Sequence, residues 1–253
     1  MRLPRRLRHG EEASLVEHLD ELRSRLVIAL VAVGIGFVVA FVFHEHLIEW
    51  LREPLPDDRE LTTLGVTEPF TTSIKVSFYA AIVLAFPVLL WQVWSFLAPA
   101  FEEHTQRIVA VFVAIATALL AAGLAFAYFV VLPKALTFLT NFDEELYNPQ
   151  IRASYYFSFV SVMLLAIAVC FELPIFILAL VRLGVIDSAQ LRKNRRFGIV
   201  AAVALAILLP TVDPVSLLFE ALPLLVLFEA SIWLSVLMER RWRRADAELA
   251  TEL

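Results

Sequence analysis

The chain has 253 residues, 60% of them hydrophobic, and a mean hydropathy of +0.77. This apolar share is well above that of soluble domains, which excludes an ordinary soluble protein and indicates a polytopic membrane protein with one membrane domain. The formal net charge of −5 carries less information than the positions of the charges, and a single cysteine, Cys170, excludes an internal disulfide.

Six apolar segments along the chain predict an all-α protein with six transmembrane helices. A helix rises about 1.5 Å per residue, so about 20 apolar residues cross a ~30 Å hydrocarbon core. The fifth segment has only 13 residues and covers roughly 20 Å. Pro174 is expected to bend the fourth segment. The predicted spans are 26–43, 71–97, 108–132, 155–181, 197–209 and 215–238.

The distribution of Lys and Arg predicts that both termini lie in the cytoplasm. With that orientation, 16 of the 21 basic residues fall on the cytoplasmic side and 5 on the outer side. Cytoplasmic loops carry such an excess of positive charge. The predicted parts are therefore a cytoplasmic N-terminal segment (1–25) with an amphipathic helix over 11–25, a six-span membrane domain (26–238) and a cytoplasmic tail (239–253).

Three acids lie within the predicted spans: Glu172, Glu220 and Glu229. Glu172 is roughly 15 Å from the basic end of the fourth span, near the membrane centre. An ionised carboxylate there costs about 2.5–3.5 kcal/mol on insertion scales, so the default interpretation is a functional site. The alternative is a protonated Glu that is hydrogen-bonded to a neighbouring helix. No Lys, Arg or His lies deep in a span, so the sequence predicts no intramembrane ion pair within the chain. Each acid is then protonated, faces a water-filled recess or awaits a partner.

Such acids are compatible with a proton-coupled secondary transporter that uses Glu172 as its proton carrier. Against it, the first three spans hold no buried charge and the spacing contains no inverted repeat. An intramembrane hydrolase is disfavoured because all five histidines lie outside the spans and no GxSxG motif occurs. We therefore expect a non-enzymatic protein without a metal, a cofactor or a nucleic-acid partner.

Acidic residues also stand out on the predicted cytoplasmic face, which is otherwise strongly basic. Glu21 lies before the first span, and Glu102 and Glu103 lie between the second and third. Because Arg pairs with carboxylates through two parallel hydrogen bonds, these acids are suited to bind a ligand's guanidinium groups. They are equally suited to local ion pairs, and Glu21 and Arg25 have the spacing of an i,i+4 pair.

Seven motifs in order carry a resemblance to a known family. They are HLDELRSRL (18–26), TEPFTTSIKVSF (67–78), WQVWSFLAPAF (91–101), AGLAFAYFVVLPKALTFL (122–139), FELP (171–174), LRKNRRF (191–197) and DPVSLLFEALPLLVLFE (213–229). Over about residues 17–235 the chain resembles the TatC family, the core receptor subunits of the twin-arginine protein translocase.

The resemblance implies a glove-like bundle that is concave on one side, with short fifth and sixth spans, in the cytoplasmic membrane. It implies binding of twin-arginine signal peptides and export of folded proteins driven by the proton gradient. The implied partners are TatA- and TatB-type single-span subunits, membrane lipid and further copies of the chain. The implied site residues are Glu21, Arg23, Phe96, Glu102 and Glu103 for signal binding, Glu172, Glu220 and Glu229 for the concave face, and Pro54, Phe70 and Asp213 for structural or partner contacts.

Two positions depart from the family pattern. In the family, the loop after the second span usually carries a glutamate at the position that is Thr105 here. We expect one of Glu102 and Glu103 to provide that carboxylate, and Glu103 is the preferred candidate. In the sixth span a polar family position, often Gln, is Leu217 here. Glu220 lies three residues on, on a nearby helix face, and is a candidate replacement as a contact for partner helices.

Overall fold

The computed structural model describes the backbone of residues 15–56, 59–97, 105–142, 150–182, 184–209 and 213–251, and the side chains of 19–56, 59–96, 110–142, 150–182, 184–209 and 213–239. The regular secondary structure of this part of the chain is helical apart from two strands of two residues each. The helices are Leu15–Val42 (α1), His44–Arg52 (α2), Glu68–Leu97 (α3), Thr105–Phe126 (α4), Leu132–Asn141 (α5), Ala153–Cys170 (α6), Leu173–Arg182 (α7), Ser188–Lys193 (α8), Arg195–Ile207 (α9) and Pro214–Thr251 (α10). A π-helical turn, Ala127–Val131, joins α4 to α5, and the strands are Leu61–Thr62 (β1) and Ile151–Arg152 (β2).

The chain divides into two units, and the first comprises Met1–Ala118 and Asp143–Leu165. In this unit α1 packs against α3. Gly36 permits a close approach, because a Cβ added there would lie 3.0 Å from the carbonyl oxygen of Ala81 on α3. Many large apolar side chains of α1 are exposed, as suits a helix that faces lipid.

Hydrogen bonds between residues that are distant in sequence connect the strands and helices of the first unit. β1 and β2 pair in parallel, with Leu61 opposite Ile151 and Thr62 opposite Arg152. The buried hydroxyl of Tyr156 on α6 donates a hydrogen bond of 2.8 Å to the carbonyl oxygen of Leu51 on α2. These bonds satisfy polar groups that would otherwise be costly to bury.

The second unit comprises Leu119–Phe142 and Ala166–Leu253, and α10 is its central helix. α10 packs against α5, α7, α8 and α9. Ile177 on α7 forms a buried apolar cluster with Phe228 and Ile232 on α10, and Leu191 on α8 packs against this cluster. Close packing of these apolar side chains holds α7, α8 and α10 together. Where the cluster is shielded from water, its burial also stabilises the unit.

Among the described residues, five stretches of helix are long and apolar enough to cross a membrane. They are Leu19–Val42, Glu68–Phe96, Ala110–Asn141, Ala153–Arg182 and Pro214–Glu239, and they correspond to the first four predicted spans and the sixth. The fifth predicted span lies mostly in α9, which has 13 residues. A helix of this length covers roughly 20 Å, so its role as a span stays a prediction.

The structure corrects the expected length of the sixth span. That span is not short, because α10 has 38 residues and its apolar part, Pro214–Glu239, has 26. The sequence contains no Gly or Pro after Pro223, and the residues that follow the apolar part include many good helix formers. The helix therefore continues beyond the apolar part.

At the N-terminal side, α1 runs from Leu15 into the first span without interruption. Residues 15–25 of the expected amphipathic helix are thus continuous with the spanning helix, whereas residues 11–14 lie outside the described residues. The domain boundary at residue 25 stays a prediction.

In the fourth predicted span a two-residue turn interrupts the helix next to Pro174, where the sequence predicts a bend. α6 ends at Cys170 and α7 begins at Leu173. Pro174 has no N–H to donate to the carbonyl of Cys170, four residues earlier, and its ring would clash with that carbonyl in a continuous helix. The interruption therefore lies at Phe171 and Glu172, on the N-terminal side of the proline.

Candidate functional site

An ion pair near the start of α1 connects this helix to the end of α3. The Oε1 atom of Glu21 accepts hydrogen bonds from Nε (3.2 Å) and Nη2 of Arg25. This confirms the pairing that the i,i+4 spacing predicts. The Arg25 guanidinium also donates to two backbone carbonyls of α3, those of Ser95 (2.9 Å) and Gln92 (3.5 Å). Both side chains of the pair are largely shielded from solvent, with 23% of Glu21 and 19% of Arg25 exposed.

The other predicted signal-binding residues differ in position. Phe96 lies half-buried in the last turn of α3, directly after Ser95. The structure thus brings Glu21 and the end of α3 that carries Phe96 to the same place. Arg23 is exposed and takes no part in the Arg25 contacts. Glu102 and Glu103 lie outside the described residues, so their assignment stays a prediction.

Glu172 lies at the interruption between α6 and α7 and is fully buried, with 0% of its surface exposed. Its backbone is satisfied, since its N–H donates to the carbonyl of Val169 (3.0 Å) and its own carbonyl accepts from Ile175 and Phe176 (both 3.1 Å). Its carboxyl group is not: within the described residues, neither oxygen has a hydrogen-bond partner. The backbone of Leu120 on α4 lies beside the carboxyl group, but without normal hydrogen-bond geometry. Among the described residues, no hydrogen bond with normal geometry joins this carboxyl group to a neighbouring helix.

The two other acids of the predicted concave face have contrasting environments. Glu220 on α10 is buried, with 1% of its surface exposed. Glu229 on the same helix forms an ion pair with Arg195, the first residue of α9. The prediction that no ion pair forms within the chain is therefore wrong for Glu229.

The geometry of the α9–α10 hairpin explains this ion pair. Arg195 lies 12 residues before the end of α9, and Glu229 lies 15 residues after the start of α10. Measured from the connecting turn, both are at a height of about 18–22 Å. Glu229 thus lies level with the basic end of α9. Its hydrogen bond raises the pKa of Arg195, which stays charged.

Asp213 begins α10. Its Oδ1 accepts a 2.7 Å hydrogen bond from the N–H of Ser216, the third residue of the helix, and Pro214 occupies the first position. Asp at the N-cap followed by Pro is a favoured helix start. Asp213 is buried, and its role as a structural or partner contact stays a prediction. Pro54 is half-buried in the turn after α2, and Phe70 is exposed in the first turn of α3.

Glu68 is a buried acid whose role the sequence reasoning missed. It is the first residue of α3, and its Oε1 accepts from Nε of Arg152 (2.9 Å) and from the N–H of Ser154 (3.1 Å). Its Oε2 accepts from the N–H of Leu64 (2.9 Å). The hydrogen bond to Glu68 raises the pKa of Arg152 further above its ordinary value, so the guanidinium stays charged. A single carboxylate thus joins β2, the start of α6 and the segment before α3.

Glu68 left a weak signal in the sequence. An acid directly before Pro69 at the start of an apolar span is placed to bind helix N–H groups, and Arg152 stands directly before the fourth span. Because 84 residues separate the two, spacing alone did not pair them.

Comparison with known proteins identifies the family. The family model described as TatC, Sec-independent protein translocase protein, matches residues 17–223. A Sec-independent protein translocase protein TatC from Aquifex aeolicus is 40% identical over 233 residues, which are 90% of this chain and 96% of the relative. The TatC of Magnetococcus marinus is 34% identical over 246 residues, which are 96% of this chain and 90% of the relative. This chain belongs to the TatC family.

Solved TatC structures agree with this assignment. A crystal structure titled Twin Arginine Translocase Receptor TatC in DDM has a TM-score of 0.77 and 38% identity, and the match covers 86% of this chain and 99% of that one. As a TatC-family member the chain is a component of the Sec-independent protein translocase and a multi-pass protein of the cell membrane. It is a transport protein. The family expected from the seven motifs is therefore confirmed.

Proposed function

We propose that this TatC-family chain is the signal receptor of its translocase, binds the arginine pair of twin-arginine signal peptides, and supports proton-gradient-driven export of folded proteins. The observation that carries the proposal is the position of Glu21. Its carboxylate lies beside the C-terminal turn of α3, next to Phe96, and it already binds one guanidinium group there. A ligand arginine has the same chemistry. Arg23, Glu102 and Glu103 complete the proposed signal-binding set.

The proposed topology has six spans, with α9 as the short fifth span and both termini in the cytoplasm. The support is the excess of basic residues, 16 against 5, on the proposed cytoplasmic side. In this topology Glu21 and the end of α3 face the cytoplasm, where a signal peptide arrives. The bundle is proposed to be glove-like and concave, as the family resemblance implies.

Glu172 is the proposed intramembrane part of the site. A buried carboxyl group without a hydrogen-bond partner among the described residues is suited to meet a polar group that arrives with another helix. We place the apolar stretch of the signal peptide beside it, in the concave face that also includes Glu220.

TatA- and TatB-type single-span helices are the proposed partners along α9 and α10. Exposed apolar side chains on both helices, among them Val200, Leu218 and Leu222, support this assignment, because such side chains contact either lipid or another span. Membrane lipid and further copies of the chain are the other proposed contacts within the complex.

Photo-crosslinking tests the receptor function. A photoreactive residue is placed at Phe96, Glu103 or Glu172 in separate variants, and each is incubated with a twin-arginine precursor in membranes. We expect crosslinks from Phe96 and Glu103 to the region of the arginine pair, and from Glu172 to the apolar stretch. A precursor with Lys-Lys in place of Arg-Arg and a photoreactive residue at the exposed Thr63 are the controls. Equal crosslinking of both precursors at every position contradicts the proposal.

The choice between the two loop acids needs separate substitutions. Glu102→Gln and Glu103→Gln are compared for crosslinking of the same precursor from Phe96. We expect Glu103→Gln to lower the yield more strongly, because loss of the carboxylate removes a charge-assisted hydrogen bond to arginine. Unchanged binding in both variants rejects the idea that either acid replaces the family glutamate at Thr105.

A further inference from the structure

Arg25 is bound in a site made by two helices. Its Nε and Nη2 atoms both donate to Oε1 of Glu21 on its own helix, and Nη2 also donates to the carbonyl oxygen of Ser95 (2.9 Å). Nη1 reaches the carbonyl oxygen of Gln92 at 3.5 Å, the limit of a hydrogen bond. One guanidinium group is therefore surrounded by a carboxylate and by the last turns of α3.

These groups have the chemistry of a general guanidinium site. The last four carbonyls of a helix lack intrahelical partners, and Ser95 is among the last four residues of α3. The C-terminal end of a helix carries a partial negative charge, and the Glu21 carboxylate adds a full one. Arginine offers five N–H donors in a planar fork that can satisfy several such acceptors together.

Arg25 fills this site with imperfect geometry. Both of its contacts to Glu21 converge on the same oxygen, so the pair lacks the parallel two-oxygen arrangement that makes arginine–carboxylate pairs strong. The short i,i+4 connection along α1 imposes this arrangement, because both side chains start from the same helix face. A guanidinium from another chain has no such restriction and can approach both oxygens.

We infer that Arg25 is an internal competitor at the proposed signal-binding carboxylate: it occupies the acceptors made by Glu21 and the carbonyls of Ser95 and Gln92, and an arginine of the signal peptide displaces it. The inference rests on the proposed function and adds the identity of the competing group. An internal competitor lowers the apparent affinity in proportion to the fraction of time for which it fills the site. The positive charge of Arg25 also repels an incoming arginine at short range.

The direction in which the signal-peptide Kd changes when Arg25 is removed distinguishes displacement from a purely structural role. If Arg25 competes with the ligand, its removal strengthens signal binding. If Arg25 only holds Glu21 and α3 in place, its removal weakens binding. The full chain is purified in detergent, and the Kd of a fluorescent twin-arginine signal peptide is measured by anisotropy for the wild type, Arg25→Ala, Arg25→Lys and Glu21→Gln. Arg52→Gln, at an exposed position on α2, is the matched control.

We expect Arg25→Ala to lower the Kd by about 3–30-fold, which corresponds to release of one charge-assisted contact. Arg25→Lys should lower it by a smaller factor, because an ammonium group keeps the charge but cannot span the same acceptors. Glu21→Gln should raise the Kd by about tenfold or more. In the double variant Arg25→Ala/Glu21→Gln, the lower Kd that Arg25→Ala alone produces should be lost. The Kd of a Lys-Lys peptide should not fall in Arg25→Ala, and Arg52→Gln should leave the Kd of the Arg-Arg peptide unchanged.

The outcomes distinguish the inference from the function on which it rests. A wild-type chain that binds Arg-Arg and Lys-Lys peptides equally contradicts the proposed function and the inference together. A wild-type chain that prefers the Arg-Arg peptide, combined with an unchanged or higher Kd for Arg25→Ala, overturns the inference alone. If Arg25→Ala loses its folded structure, as judged by its melting temperature, Arg25→Lys decides: a Kd at or above that of the wild type overturns the displacement.

Discussion

Two buried carboxylates, Glu68 and Glu172, have opposite environments. Glu68 accepts three hydrogen bonds, one of them from a guanidinium, whereas the Glu172 carboxyl group has no partner among the described residues. A buried polar group with partners supports the fold, and one without partners destabilises it. The first arrangement is typical of a structural residue and the second of a residue kept for function.

Glu172 should therefore show a trade-off between stability and function. We expect Glu172→Gln to leave the melting temperature of the purified protein unchanged, and Glu172→Leu to raise the stability by about 1–3 kcal/mol, because it removes an unpartnered buried polar group. Both variants should reduce export of a twin-arginine substrate. Melting in detergent and export in cells are measured on the same variants. A large loss of stability in Glu172→Leu would show that the carboxyl group supports the fold.

Glu68 should behave in the opposite way. We expect Glu68→Gln to lower the melting temperature by roughly 2–6 °C, since the amide keeps the shape but loses the charge that binds Arg152 and the α6 N–H group. Glu60→Gln removes an exposed acid from the same segment and serves as the control, with no change expected. Arg152→Gln should mimic Glu68→Gln, and the double variant should cost little more than either single one. Additive losses in the double variant would argue against the pairing.

At the scale of helices, the α9–α10 hairpin depends on the absence of a side chain at Gly198. A Cβ added there would lie 1.9 Å from the end of the Phe228 ring, which is buried between the helices of the second unit. α9 and α10 therefore approach each other more closely than larger residues permit. This packing places Arg195 opposite Glu229.

Substitution at Gly198 tests the close contact. We expect Gly198→Ala to destabilise the protein by about 1–3 kcal/mol, because the Phe228 ring must move within a packed region. Phe228→Leu, which shortens the side chain, should recover much of this loss when combined with Gly198→Ala. Gly34 on α1 is the matched control, since nothing lies within 4 Å of its added Cβ. Gly34→Ala should be neutral or stabilising by up to about 1 kcal/mol, and equal losses at both glycines would contradict the packing argument.

The sequence predicted helices better than their ends and partners. Hydropathy located the five helices that are long and apolar enough to cross a membrane, because burial in lipid demands long apolar runs. It did not reveal the break at Glu172, since a proline indicates a disturbance but its neighbours decide between a bend and an interruption. Hydropathy also missed the Glu229–Arg195 pair. Which residues of two neighbouring helices lie at the same height depends on how the short α9 aligns with the longer α10, and hydropathy does not show this. The Glu21–Arg25 pair was predictable because it needs only the spacing of one helix.

At the scale of the molecule, the distribution of basic residues implies one orientation in the membrane. The exposed residues Arg192, Lys193 and Arg196 lie together around the start of α9, whereas Thr63 lies in the acidic segment before α3. The positive-inside rule predicts that the first group lies in the cytoplasm and the second outside.

Cysteine labelling tests this orientation. In a Cys170→Ala background, which removes the single native cysteine, Thr63→Cys and Lys193→Cys are treated with a membrane-impermeant maleimide in intact cells and after permeabilisation. We expect Thr63→Cys to react in intact cells and Lys193→Cys to react only after permeabilisation. The reverse pattern, or reaction of both in intact cells, contradicts the six-span topology with cytoplasmic termini.

The small β1–β2 pair has a consequence for the order of biosynthesis. Leu61 pairs with Ile151, 90 positions later in the chain. At a synthesis rate of about 5–20 residues per second, β1 waits roughly 5–20 s for its partner strand. During that interval Glu68 also lacks its ion-pair partner Arg152, while the next two helices are synthesised. Formation of the strand pair thus reports that insertion has reached the fourth span, and a delay at this stage prolongs the exposure of an unpaired strand edge to neighbouring chains.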